Sequence, residues 1–112
     1  MSYLDNDVLD ELLEILGAED LHAITESFVT QLHHQLADLN AQSDHDFAEI
    51  ARIAHSLKGG AGNLGANVLS EVAAALERHA RDDQADQVAV DLARLTEIAN
   101  HTIAEFSARR FI

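Results

Sequence analysis

Proline is absent from all 112 residues. No position therefore removes a backbone donor or fixes φ, and only glycine and short polar runs are left to end a helix. Apolar side chains recur at helical spacing through most of the chain, in a sequence rich in Ala, Leu, Glu and Asp, which predicts helix throughout. A chain of this length can bury one core but not two, so a single domain over residues 1–112 is expected.

Asp5 or Asn6 can cap a short first helix that carries Val8, Leu9, Leu12, Leu13 and Leu16 and is closed by Gly17. It is too short for a bundle member and is expected to cap one end. A second helix is expected from about Glu19 to Leu39, with Leu21, Ile24, Phe28, Leu32, Leu36 and Leu39 inward and acidic residues in its first turn. The polar run from Asn40 to Asp44 breaks it. Ser43, with Asp46 three residues on, resembles a capping box and puts the start of the third helix near Asp44. Gly65-Ala66-Asn67 reads as the turn into a fourth helix, from about Asn67 to Arg81, with Val68, Leu69, Val72, Leu76 and Ala80 inward. After Asp82-Asp83-Gln84 the last helix, from about Asp83 to Ala108, is expected to bury Val88, Leu92, Leu95, Ile98, Ile103 and Phe106. Short connections between long helices imply antiparallel neighbours. The expected fold is therefore all-α, an antiparallel up-down-up-down four-helix bundle with a short additional N-terminal helix.

Charge and composition exclude several functions. The net charge is −13, and residues 1–51 contain 12 acidic residues and no Lys or Arg. Such a chain is not expected to bind nucleic acid through its phosphates. With no Cys there is no disulfide framework or thiolate chemistry. Neither a signal peptide nor a membrane span is expected, so the protein is read as cytoplasmic and monomeric. Four of the seven cations, Arg52, Lys58, Arg78 and Arg81, fall between residues 52 and 81, a local basic patch on an acidic body that points to an anionic group or acidic partner near residue 55.

At the centre of that patch lies Ala54-His55-Ser56-Leu57-Lys58-Gly59-Gly60-Ala61-Gly62-Asn63-Leu64-Gly65-Ala66, which holds four of the five glycines. Gly59, Gly60 and Gly62 would together cost on the order of 3 kcal/mol if a helix ran through them. Projected at about 100° per residue from Phe47, the apolar stripe Ile50, Ala54, Leu57, Ala61 and Leu64 centres near 300°, whereas His55 falls near 80°, with Gly59 and Gly62 beside it. The histidine thus stands on a face stripped of side chains, with Lys58 one turn on. Neutral imidazole is a competent nucleophile near pH 7. Lys58 can hold phosphoryl oxygens as a point charge, and the missing side chains let another protein's active site close over the ring.

The run His55-Ser56-Leu57-Lys58-Gly59, followed by Asn63-Leu64-Gly65-Ala66, resembles the signature of histidine-containing phosphotransfer (HPt) domains, intermediate carriers of multistep two-component phosphorelays. The resemblance implies a four-helix bundle in which His55 is phosphorylated, Lys58 assists and Gly59 gives clearance. Gly60 and Gly62 depart from it, since small non-glycine residues are more usual there. It also implies that Glu77, at His+22, hydrogen-bonds the ring nitrogen that is not phosphorylated; Arg81 is the other residue placed opposite His55 by a hairpin turning near Gly65. A bland alternative keeps Glu77 and Arg81 as an i,i+4 surface pair.

Under this reading the chain is a phosphoryl carrier, not an enzyme with its own ATP site. The phosphoryl group arrives from a receiver-domain aspartate of a hybrid sensor kinase and leaves to a response-regulator aspartate. No cofactor is expected, and Mg²⁺ would belong to the partner receiver domain. Two other classes remain to be weighed. A helical adaptor would bind a receiver or kinase without phosphotransfer. A carboxylate-bridged di-metal bundle needs Glu-x-x-His on two helices, and only Glu19 to His22 fits. The other histidines, His22, His33, His34, His45, His79 and His101, are read as surface residues.

Overall fold

A computed structural model describes residues 2–41 and 46–112, and among them every regular element is a helix. The helices are α1 (Asn6–Leu16), α2 (Ala18–Ala41), α3 (Phe47–Asn63), α4 (Asn67–Arg81) and α5 (Ala85–Ala108). The molecule measures 42 × 23 × 21 Å. Its long axis is close to the roughly 36 Å of a 24-residue helix at 1.5 Å per residue, so α2 and α5 span its length.

Local chemistry sets the element boundaries. The Asp5 carboxylate accepts from the backbone N–H groups of Asp7 and Val8 and caps α1, which ends at Gly17 with φ +85°. At α3 the cap is Asp46, whose carboxylate accepts from the Glu49 backbone N–H at 3.0 Å. The helix therefore starts at Phe47, with Asp46 as the cap in place of the third box position expected for it. Ser43 and Asp44, the rest of that expected start, lie outside the described residues.

α3 runs through Gly59, Gly60 and Gly62 without a break and stops at Leu64. Gly65 provides the stop with φ +72°, its N–H bonded to the Gly62 carbonyl while that of Ala66 reaches back to Ala61. α4 ends by the same two-bond device, Asp83 to Ala80 and Gln84 to His79, with Asp83 at φ +54°. That geometry occupies Asp83 and Gln84, so α5 begins two residues later than its acidic sequence predicts.

The core is a continuous cluster drawn from all five helices, with Leu21, Leu32, Ile50, Ala54, Leu69, Leu76, Leu95 and Phe106 closed to solvent. α3 and α4 share the most extensive interface, and α1 lies across their turn: the Asp5 N–H donates to the Gly65 carbonyl at 2.8 Å and the Asn67 amide to the Asp5 carboxylate at 3.1 Å. One inward assignment needs correction. Ile24 is 44% exposed, and Thr25 takes the stripe position, its hydroxyl donating to the Leu21 carbonyl at 2.8 Å. Ile24 instead borders a groove of about 400 Å³ with Leu12, Leu16, Phe28 and Leu64. Val68, Leu36, Ile98 and Ile103 are only half-buried, and on α5 Ala99 and Thr102 take the innermost places.

Candidate functional site

The α3–α4 hairpin brings together four of the residues singled out in the sequence. His55 and Lys58 come from α3, Glu77 and Arg81 from α4. With Gly65 setting the turn, Gly62 lies beside Ser70, the Ser70 hydroxyl donates to the Lys58 carbonyl at 2.9 Å, and His55 reaches Glu77.

Glu77 is the hub. Its side chain is 9% exposed, and its Oε2 accepts from His55 Nδ1 at 2.9 Å. Lys58 Nζ donates to Oε1 at 2.9 Å, and Arg81 Nη2 lies 2.6 Å from Oε2. The Lys58 bond outweighs the opposing effect of burial and, with help from His55 and Arg81, holds the Glu77 carboxyl below the usual glutamate range. The carboxylate is therefore ionised at neutral pH and can only accept hydrogen bonds. That assigns the ring proton of neutral His55 to Nδ1 and leaves the Nε2 lone pair unused.

The ring itself is open, with its side chain 64% exposed. Gly59 and Gly62 are on the solvent-facing surface of α3, and a Cβ added at Gly59 would meet no atom within 4 Å. Gly60 faces the other way, where an added Cβ would lie 3.5 Å from the Phe28 ring. The three glycines are therefore not equivalent: two lie on the exposed side of α3 with the ring, and one faces α2, where a methyl group would make ordinary contact. An open depression of about 380 Å³ beside the ring is lined by Ala48, Ala51, Arg52, His55 and Arg81.

Sequence reasoning missed a second histidine–carboxylate pair. His79, expected at the surface, has its side chain only 20% exposed, with Nδ1 2.5 Å from Asp91 Oδ2, and the Asp91 side chain is 4% exposed. The signal was available. Asp91 falls three residues after Val88 and four before Leu95, on the apolar stripe of α5, where an acidic residue needs a partner. His22 pairs with Glu26 on its own helix, and among the described residues no three metal-ligating side chains converge.

Comparison with known proteins agrees with this geometry. The family model described as Hpt domain matches residues 6–105. No protein of curated function matches the chain in sequence. Among solved structures, the chain is similar to histidine-containing phosphotransfer protein B (HptB) from Pseudomonas aeruginosa PAO1, with a TM-score of 0.88 and 26% identity over 96% of this chain and 94% of that one. No described helix is long and apolar enough to cross a membrane. With the family model spanning all but the two ends of the sequence, the chain belongs to the Hpt-domain family, the histidine phosphocarriers of two-component phosphorelays.

Proposed function

We propose that His55 Nε2 is the phosphoryl acceptor, taking the group from a receiver-domain aspartate of a hybrid sensor kinase and passing it to the receiver aspartate of a response regulator. The observation that carries this reading is the ring's asymmetry: Nδ1 is engaged by a buried carboxylate while the other edge of the ring stands in solvent. The supporting scaffold is an antiparallel up-down-up-down bundle of α2 to α5, end-capped by α1, with no ATP site of its own.

In the transfer step the Nε2 lone pair attacks phosphorus, the N–P bond forms, the aspartyl O–P bond breaks, and the aspartate leaves as a carboxylate. The imidazole gains positive charge as its lone pair is used. Glu77, already bonded to Nδ1–H, offsets that charge without reorganising. Lys58, tethered to Glu77 from the facing helix, can turn to the incoming phosphoryl oxygens, while Arg81, one turn beyond Glu77 on α4, holds that carboxylate. The step is symmetric in kind, so the same residues serve delivery, and any Mg²⁺ would be held by the partner's receiver domain.

The test is incubation with phosphorylated receiver domains encoded by the same genome, scored for fast label transfer to the chain and for its loss in His55→Gln. A chain that binds a receiver tightly and never takes label would establish the adaptor reading instead.

A further inference from the structure

The depression beside His55 is bounded by two guanidinium groups that the transfer chemistry leaves unexplained. Arg52 lies one turn before His55 on α3 and Arg81 comes from α4, with side chains 67% and 63% exposed, and the methyl groups of Ala48 and Ala51 complete the lining. Each guanidinium is oriented by a carboxylate. Arg52 donates through Nε to Glu49 Oε2 at 2.9 Å and through Nη2 to the other oxygen, while Arg81 is held by Glu77. A guanidinium has five N–H donors, so both keep donors to spare.

The first 51 residues contribute no cation, yet Arg52, Lys58 and Arg81, three of the seven in a chain of net charge −13, surround one imidazole. Shape separates their roles. The depression, about 380 Å³, is open to solvent. It has room for an amino-acid side chain. Two planar forks facing one groove suit a planar carboxylate, whereas the ammonium of Lys58, one turn beyond the ring, acts as a point charge for phosphoryl oxygens.

We infer that Arg52 and Arg81 form a clamp for an Asp or Glu side chain that the partner carries beside its own reacting aspartate, making Arg52 a specificity-determining residue. The inference rests on the relay reading of His55. Glu49, and more weakly Asp38 of α2, compete with the partner's carboxylate for Arg52. That competition gives the clamp a signature of opposite signs: loss of Arg52 weakens docking, and loss of the Glu49 charge strengthens it.

The experiment measures transfer from phosphorylated receiver domains of the same genome to wild type, Arg52→Gln and Glu49→Gln, at low and high ionic strength, with circular dichroism to verify folding. In Arg52→Gln the half-saturating receiver concentration should rise roughly fivefold at low salt, the upper end of an exposed ion pair. The difference should shrink at high salt as the pair is screened. Glu49→Gln should shift the same quantity downward, and the lifetime of phospho-His55 after removal of the receiver should stay that of wild type in both. Two variants indistinguishable from wild type in half-saturation and salt response would overturn the clamp alone, as would a changed phospho-His55 lifetime in Arg52→Gln, which would put Arg52 on the phosphoryl group. Failure of every receiver to label wild type would overturn the relay reading and the clamp with it.

Discussion

Two imidazoles in this chain are held in nearly the same way and left in opposite circumstances. His55 is bonded through Nδ1 to Glu77 across the α3–α4 interface, and His79 through Nδ1 to Asp91 across the α4–α5 interface. Both carboxylates are buried, with side chains 9% and 4% exposed. The rings differ: His55 is 64% exposed and His79 20%. Around His55 stand Lys58, Arg81 and the bare backbone of Gly59 and Gly62, whereas the depression over His79 is lined by Gln84, Ala85, Asp86 and Gln87. Under the relay proposal, fixing the tautomer is therefore not what would distinguish a reactive histidine. Access and positive surroundings would, and a carboxylate–imidazole bond without them would serve as an interhelical fastener.

The sharpest way to break this comparison is to remove each ring in turn. His55→Gln should abolish phosphoryl acceptance while changing stability by no more than about 0.5 kcal/mol, as for an exposed residue outside the core. His79→Gln should take label at the wild-type rate. Autoradiography of both variants after exposure to a phosphorylated receiver decides it, and label persisting on His55→Gln would show that another residue accepts the group.

Lys58→Ala comes next in size. The ammonium contributes one charge-assisted contact, worth roughly 1.5 to 3 kcal/mol, so single-turnover transfer at saturating receiver should slow ten- to a hundredfold. Because Lys58 bonds Glu77 in the resting protein, the variant also asks whether that contact is only a tether. An unchanged rate constant would confine Lys58 to the tether.

For the fastener the effect should appear in stability instead. His79→Ala leaves Asp91 buried without its imidazole and should lower unfolding free energy by about 2 to 3 kcal/mol in urea melts, several times the change from His55→Gln. Equal losses at the two sites would mean that burial of the ring does not separate them.

Acid titration sharpens the comparison from the side of the hub. The Glu77 carboxyl is held below its ordinary value of 4.5, chiefly by Lys58, so its contribution to stability is fully present above that value and is lost as pH falls through the lower folded one. Glu77→Gln has nothing to lose there. The stability gap between wild type and Glu77→Gln should be constant near neutrality and narrow below about pH 4.5. A gap independent of pH would mean that the ion cluster does not stabilise the folded state.

The grouping of the candidate site's residues was legible in the sequence because they violate local rules. Glycines inside a helix and a histidine off the apolar stripe mark α3, and the hairpin turn at Gly65 places Glu77 and Arg81 opposite. Long helices were legible for a simpler reason, their periodicity. What escaped depends on tertiary context. Ile24 and Thr25 are adjacent on α2, and which one faces inward depends on how the helix is turned against its neighbours. The start of α5 is set by the ending of α4, where Asp83 adopts a left-handed conformation that its side chain does not announce. His79 looks like any helical surface histidine until Asp91 is seen on the neighbouring stripe.

The smallest expected effect isolates access, the property that most separates the two rings. Gly59 is helical, exposed and free of any neighbour within 4 Å of an added Cβ, while at Gly62 an added Cβ would already meet the Ser70 hydroxyl at 3.5 Å. Gly59→Gln therefore replaces glycine with a good helix former where nothing must move. The melting temperature should rise, by the equivalent of up to about 1 kcal/mol. Under the relay proposal transfer should fall nonetheless, because the new side chain would cover the face over which a receiver descends to His55 Nε2. Gly60→Ala serves as the counterpart: its methyl group would point toward Phe28 in ordinary contact, away from the ring, so it should gain stability without losing transfer. Thermal melts read beside receiver-to-His55 rates test both together. If Gly59→Gln is stabilised and transfers normally, receivers approach His55 from another side, and the glycines of α3 are left without a role in access.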